Sequence, residues 1–336
     1  MNEQFKHRFL LIANDKTGEK FIQPVFLLEQ DITEGLPQKI RTVLNWPRIW
    51  FSGWLQMRML VAGCSAGEGG ISNREPWAIE ALAEALTEYG NINQSSILLI
   101  KDVSSKYRHA FMSLSSCGFK RVSSMPGCKL ELNYDDFDVF SNAKLGKAFR
   151  ENLRRKFKAL SKYSPISMEV LENVENEVDD IYRLYLQTYQ RSSHRFERLT
   201  RDFFLRLGRE MPDRMKFFIW RQENRIIGFV LCAINGTEIY DLNIGLDYSV
   251  ALKLHLYFVT RRDILDWAMK NGYRRYHVGQ LNYHPKLHFR MQLSPLDLYA
   301  KHPNPFFNPI LKFALNYLQP ARYDPLLQQF PNASEL

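Results

Sequence analysis

Only four cysteines occur in the 336 residues, Cys64, Cys117, Cys128 and Cys232, and no two of them form a C-x-x-C pair. Zinc ribbons and dithiol redox motifs are thereby excluded, and the scatter fits a reducing compartment. Long apolar runs are also missing: no stretch approaches the roughly 20 residues that cross a bilayer. The opening MNEQFKHRF lacks the apolar core of a signal peptide. The expectation is a cytoplasmic protein, with peripheral membrane contact left open. Nothing reads as a nucleotide-hydrolysis loop, a zinc-protease helix or a serine-hydrolase elbow, and no metal ligand set stands out.

What is present is ample hydrophobic content, 45%, enough for a large core and more typical of two domains than one. The formal charge is +9 and the pI about 9.3, so phosphate- or carboxylate-bearing partners are steered toward the surface. Charge alone does not choose among nucleic acid, anionic membrane and a phosphorylated cofactor.

Up to about residue 140 the pattern is that of a small α/β unit. Phe9–Ala13 and Phe21–Leu28 flank a turn-forming stretch and read as a hairpin. Met57–Ala62 is a strand that runs into the glycine-rich loop 63–70. Pro76–Tyr89 carries one apolar helical face that Gly90 is expected to stop, and Phe119–Leu132 reads as one or two strands. Residues 141–300 form the second unit. It opens on a basic helix, Ser141–Lys162, in which Leu145, Phe149, Leu153, Phe157 and Leu160 make an apolar stripe. A second helix spans Val174–Tyr189, and Thr200 caps a third. Phe217–Trp220, Ile226–Cys232 and Thr237–Ile244 make an antiparallel meander, with Asn235-Gly236 as its tight turn. Ala251–Lys270 is a long helix and Arg275–Val278 a closing strand. Residues 301–336 are a proline-rich extension. Its apolar helix, with Phe307, Ile310 and Phe313, is open to packing, dimerisation or membrane contact.

The order of elements, with the basic NLRRKFK stretch, the meander RIIGFVLCAINGTEIYDLNIGLDY and the loop YHPKLHF followed by LSPLDLY, resembles the FemAB-like branch of the GNAT acyltransferase superfamily. The resemblance covers roughly Phe9 to Tyr299. It implies an α/β fold of two GNAT-like modules, with mixed, mostly antiparallel sheets and flanking helices. The N-terminal module is then degenerate and the C-terminal one binds the donor. It implies an N-acyltransferase that takes an acyl group from acyl-CoA or an acyl carrier thioester to an amine, without a tightly bound cofactor. Two alternatives stand beside it: aminoacyl transfer from tRNA in envelope synthesis, and a non-catalytic GNAT-fold binding protein. Acceptors would be amine-bearing small molecules or envelope precursors. The usual Q/R-x-x-G-x-G/A phosphate loop is replaced by Leu246–Ala251, which counts against acetyl-CoA.

Acyl transfer to an amine needs a neutral amine, an oriented carbonyl and a stabilised leaving group. Asp241 and Asn243, two apart, share a face if their strand is regular. Asp241 is open to two roles, base or structural acceptor, and Asn243 and Gly245 would line the donor. Gly245 fits a bulge or close backbone approach. His284 titrates in the range of a general base or anchors its loop. Lys286 suits a phosphate, a carboxylate or a developing oxyanion. Tyr248 and Tyr283 could line the acyl channel, protonate a leaving group or simply pack. Arg154 and Arg155 on the basic helix are candidates for tRNA, CoA phosphates, an anionic membrane or plain solvent. The resemblance further implies that Arg191 and Arg195 border the acceptor site and hold a carboxylate.

Overall fold

The computed structural model describes residues 5–31, 56–192, 197–317, 319, 321 and 324–336. In chain order the elements are β1 (Phe5–Ala13), β2 (Lys20–Asp31), β3 (Gln56–Ala62), α1 (Pro76–Ile92), β4 (Ile97–Ser104), β5 (Lys120–Ser123), β6 (Gly127–Glu131), α2 (Phe137–Lys144) and α3 (Lys147–Ala159). Then come β7 (Ile166–Leu171), α4 (Val178–Arg191), α5 (Arg201–Glu210), β8 (Met215–Gln222), β9 (Arg225–Asn235), β10 (Glu238–Leu246) and α6 (Leu256–Lys270). The series closes with β11 (Arg275–Val278), α7 (Tyr283–His288), β12 (Gln292–Ser294), β13 (Leu296–Lys301) and α8 (Asn308–Ala314). The fold is mixed α/β with two sheets and flanking helices.

The two units divide the chain elsewhere than at residues 140 and 300. The first comprises 2–126 with 294–328 and 333–336; the second comprises 127–293 with 329–332. Strand pairing is the reason. β5 and β6 are separated by only three residues, yet β5 joins the first sheet and β6 the second. β13 returns to lie between β4 and β5, with Tyr299 opposite Ile100 and Asp297 opposite Ser123. The apparent proline-rich extension is therefore part of the first unit's packing: Leu315 of the turn after α8 is buried against Val122 and Ala300.

In the first unit the sheet order is β1-β2-β3-β4-β13-β5, and β3 and β4 are parallel across α1. Leu82 and Leu86 of α1 bury against Leu60, Leu98 and Ile100. Gly90 does not stop α1. A Cβ there would lie 2.3 Å from Leu98 Cδ2, so the glycine lets the helix press on β4 and run on to Ile92. Residues 63–67 do spell G-x-S-x-G, but a nucleophile elbow enters its helix at once, whereas here the loop continues to Pro76. Between β4 and β5 the chain makes two short 3₁₀ turns, Ser105–Tyr107 and Met112–Ser115.

In the second unit the order is β12-β6-β11-β10-β9-β8-β7, with β10 and β11 parallel across α6. The meander β8–β9–β10 forms as expected; Glu223 and Asn224 take positive φ in the first turn and Gly236 in the second. The single basic helix expected over 141–162 is two. Asp136 caps α2 by accepting from the Val139 N–H at 2.8 Å, and Leu145-Gly146 leaves helical geometry before α3 starts. Thr200 caps α5 through the Phe203 N–H. α4 covers one face of β9–β10, where Gly245 meets Leu184; α6 covers the other, where Arg261 meets Asp241.

Candidate active site

β10 is the strand on which a site can be built, because it is paired along only half of one edge. Toward β9 it is bonded from Glu238 to Leu246, but toward β11 only from Glu238 to Asp241. Beyond Asp241 the pairing stops because β11 ends at Val278, and at the end of β10 the Leu246 N–H is taken by Thr188 Oγ1 at 3.2 Å. At the fork the ladder with β9 slips: Asp241 faces Cys232 and Asn243 faces the adjacent Leu231, leaving Leu242 as a bulge. Partners across an antiparallel pair point the same way, so Asp241 and Asn243 lie on opposite faces. The shared face expected from their spacing is lost to that one extra residue. The bulge sits at Leu242 and not at Gly245. Gly245 instead serves close approach: a Cβ would stand 2.2 Å from the Phe229 ring and 2.8 Å from the Leu184 carbonyl carbon.

Asp241 is not placed to deprotonate an amine. It is buried on the α6 face, accepts from the Tyr276 hydroxyl and pairs with the Arg261 guanidinium, which also donates to Tyr276. Burial raises the Tyr276 phenol and pushes the nearby Cys232 thiol up to about 12, so both stay protonated. This buried triad pins β10, β11 and α6 together where the strands begin to part. Sequence reading misses Arg261 and Tyr276, although a lone arginine inside the stripe Leu256, Val259, Ile264, Leu265, Ala268 signals a buried partner.

The other wall of the gap is the turn after β11. Leu281 and Asn282 adopt left-handed backbone, and Lys286 of α7 is 3% exposed. Its ammonium donates to the Gly279 and Leu281 carbonyls, the latter at 2.6 Å. Tyr283 is buried edge-on to Phe330, so it packs and does not face a channel. His284 and His288 are exposed, one helical turn apart, with Nε2 atoms 3.4 Å apart. His288 also stacks on Phe149 of α3 at 5.2 Å. Burial, then the neighbouring His284 and Arg290, lowers the His288 imidazole, which favours the neutral ring.

At the far end of β10, Tyr248 and Arg191 come together: the guanidinium lies 4.4 Å over the tyrosine ring. Arg195 lies outside the described residues. On α3, Arg154 and Arg155 are exposed, and among the described residues no carboxylate pairs with them. The helix is held by Leu153, which is buried, by Phe149 against Phe258 and Phe289, and by Phe157 beneath Arg262.

Residues 147–286, which hold the parallel pair β10–β11 and the helix α6 that crosses over between its strands, match the model of one family, the acetyltransferase (GNAT) domain. The second unit is a GNAT acyltransferase domain. Over the whole chain the fold is that of several solved structures. The C-terminal domain of a lysylphosphatidylglycerol synthetase from Agrobacterium fabrum matches at TM-score 0.54 and 12% identity, covering 92% of this chain and 88% of that one. L-PGS from Bacillus licheniformis matches at 0.54 and 10%, covering 91% and 89%. FemX matches at 0.54 and 11%, covering 90% of each chain. No curated protein matches the sequence. The FemAB-like, double-module expectation agrees with these folds.

The GNAT domain departs from a CoA-binding pattern in the loop between β10 and α6. Most of its backbone donors are spent at home. Tyr248 N–H goes to Gln187 Oε1, Ser249 to the Asp247 carboxylate, and Val250 and Ala251 to the Asp247 carbonyl. Leu254, His255 and Leu256 bond to Val250, Leu252 and Ala251. A pyrophosphate cradle needs such N–H groups turned outward.

Proposed function

We propose that this acyltransferase moves an aminoacyl group from an aminoacyl-tRNA to an amine acceptor, an envelope precursor being the class of substrate that fits best. One observation carries the choice of donor: the loop before α6 spends most of its N–H groups internally, while α3 beside it offers exposed arginines that no carboxylate among the described residues pairs. A polyanion held by side-chain charge suits that surface better than a CoA pyrophosphate held by backbone. The lysylphosphatidylglycerol synthetases make, by their names, an aminoacylated product, which is in keeping with this chemistry.

In the proposed reaction the neutral amine attacks the ester carbonyl lying along the open edge of β10. Backbone N–H groups between Leu242 and Gly245 receive the developing oxyanion. The C–N bond forms and the ester C–O bond breaks. The ammonium proton passes to the imidazole of His284, which returns a proton to the departing ribose oxygen. Lys286 acts as a positioning residue: it holds the Gly279–Leu281 turn away from β10 and keeps the gap open. Asn243 and Gly245 line the donor side, and Arg191 over Tyr248 meets an acceptor carboxylate.

Native mass spectrometry of the purified protein, titrated with charged tRNA, acyl-CoAs and acyl carrier thioesters, tests the donor. Selective retention of charged tRNA is expected. Retention of a thioester would move the reaction to thioester-dependent N-acylation, the other donor class. Lys286→Ala is expected to lower turnover by at least about tenfold with the fold intact. Unchanged turnover would take Lys286 out of the site.

A further inference from the structure

Helix α8 and the turn after it are oriented with their most apolar side outward. Leu311 and Leu315 face inward, onto the cluster of Val122, Ala300 and Leu298. On the outer side Phe306 is 87% exposed, Ile310 64%, Phe313 65% and Tyr317 60%, with Phe307 beside them at 54%. Positions 306, 310, 313 and 317 recur at helical spacing and make one stripe. Singly exposed apolar residues need no explanation, but five bulky ones within twelve residues form a patch of the kind that marks an interaction site.

The surroundings of the patch are cationic. From Leu298 to Tyr323 the sequence has no aspartate or glutamate, and it carries Lys301, Lys312 and Arg322. Lys301 is half-buried, its ammonium donating to Thr87 Oγ1 at 3.0 Å and lying 5.5 Å over the Phe119 ring, while Lys312 sits on α8 itself. Lys120 lies opposite Ala300 on the adjoining strand β5. The carboxylate at the near end of β13, Asp297, is fully buried and neutralised by Arg108 and Arg121. The helix is also fixed in place: Asn308 donates to the Gly118 carbonyl at 2.9 Å and accepts from the His302 N–H at 3.0 Å. The stripe is therefore presented preformed.

We propose that α8 docks on an anionic lipid surface, with Phe306, Ile310, Phe313 and Tyr317 entering the headgroup layer while Lys312 meets lipid phosphates. A second copy of the chain is a poor occupant, because like-with-like pairing would set Lys312 against its own copy in a protein of formal charge +9. An anionic bilayer satisfies both halves of the surface: apolar depth for the stripe and negative charge for its rim. Among the described residues no helix is long and apolar enough to cross a membrane, so the contact is interfacial.

The test is flotation of the full chain with phosphatidylcholine vesicles, with and without phosphatidylglycerol, compared with Phe306→Ser/Ile310→Ser/Phe313→Ser. The wild type is expected to float with the anionic vesicles and far less with neutral ones. The triple variant should keep the thermal transition of the wild type, since these side chains are exposed, and lose partitioning by at least about tenfold. Lys312→Glu should weaken binding to the anionic vesicles alone. The proposal is overturned if the wild type ignores anionic vesicles, if the triple variant partitions equally well, or if the wild type is a dimer that the substitutions dissociate while no vesicle binds.

Discussion

Asp241 reads as a base because it stands in the middle of a polar strand, and burial reverses that reading. A carboxylate held by Arg261 and Tyr276 is costly to isolate, since removing one partner strands the other charge in a low-dielectric interior. Asp241→Asn and Arg261→Met are each expected to cost about 3–5 kcal/mol, whereas Asp241→Leu/Arg261→Met should recover most of that in urea denaturation. The double variant also separates scaffold from catalyst: if it is stable and still turns over, Asp241 takes no proton from substrate. On the opposite face a second cluster responds to pH. His277 stacks on Tyr240 at 4.4 Å and lies 3.1 Å from Glu238 Oε2. Burial lowers the imidazole against the pull of Glu238. Burial would raise Glu238, but the Tyr240 hydroxyl with the His277 and Arg275 charges outweighs it and lowers the carboxyl. At neutral pH His277 is thus uncharged, and Tyr240 and Arg275 sustain the Glu238 charge. The folded imidazole lies below its ordinary 6.5, so its stabilisation is complete above that value and is lost as the pH falls through it. Glu238 has the same sign in the more acid window below its ordinary 4.5. His277→Phe, which keeps the stack, should flatten the thermal midpoint between about pH 7 and pH 5.5; an unchanged slope would assign that loss of stability to other groups.

At the scale of elements, α3 is the part whose role can be read by charge alone. Its inward stripe, Phe149, Leu153 and Phe157, leaves Arg154 and Arg155 to solvent, so their reversal should leave the fold intact. For Arg154→Glu/Arg155→Glu the expected outcome is weaker tRNA binding and a shallower salt dependence, by about 0.7–0.9 in the log–log slope for each phosphate the helix no longer neutralises. Equal slopes in a filter-binding salt series would return α3 to the status of a solvated helix. This amphipathic stripe is legible in the sequence because helical periodicity depends only on neighbours a turn apart. So are the meander, its Asn235-Gly236 turn and the Thr200 cap. The fork in the sheet is not, because it depends on where β11 stops pairing and on a one-residue slip that no local pattern encodes. Gly90 shows the same limit: next to a helix end it reads as a stop signal, and only the distance to Leu98 reveals a close approach. Lys286 is legible as important but not as buried, since the carbonyls that satisfy it belong to backbone. Arg191 and Tyr248 are visible in the sequence as a charge and a ring; their stacking comes from the fold.

The whole molecule is organised by a return of the chain that the order of elements conceals. β5 and β13 are antiparallel neighbours, with Ser123 opposite Asp297 and the Ser124 N–H bonded to the Leu296 carbonyl at 2.9 Å. The two strands therefore form a hairpin whose connection, instead of a tight turn, is the entire GNAT domain of residues 127–293. The inserted domain begins and ends on adjacent strands, β6 and β12, so its own termini are close, as tolerated insertions require. Cutting the chain after Pro126 removes β13 from between β4 and β5. β5 then has no neighbour and β4 an open edge, which invites aggregation. Residues 2–126 alone are expected to show no cooperative unfolding transition. Replacing 127–293 by Asn-Gly leaves a connection of six residues between Ser124 and Leu296, with Met125, Pro126, Ser294 and Pro295, and should restore one, because β5 and β13 regain their pairing within a short loop. Circular dichroism melts of the two chains decide it. A cooperative melt from residues 2–126 would mean that β13 is dispensable to the first unit. Failure of the Asn-Gly chain to fold, with its hairpin partners present, would mean that the first unit depends on the inserted domain and that the two are one folding unit.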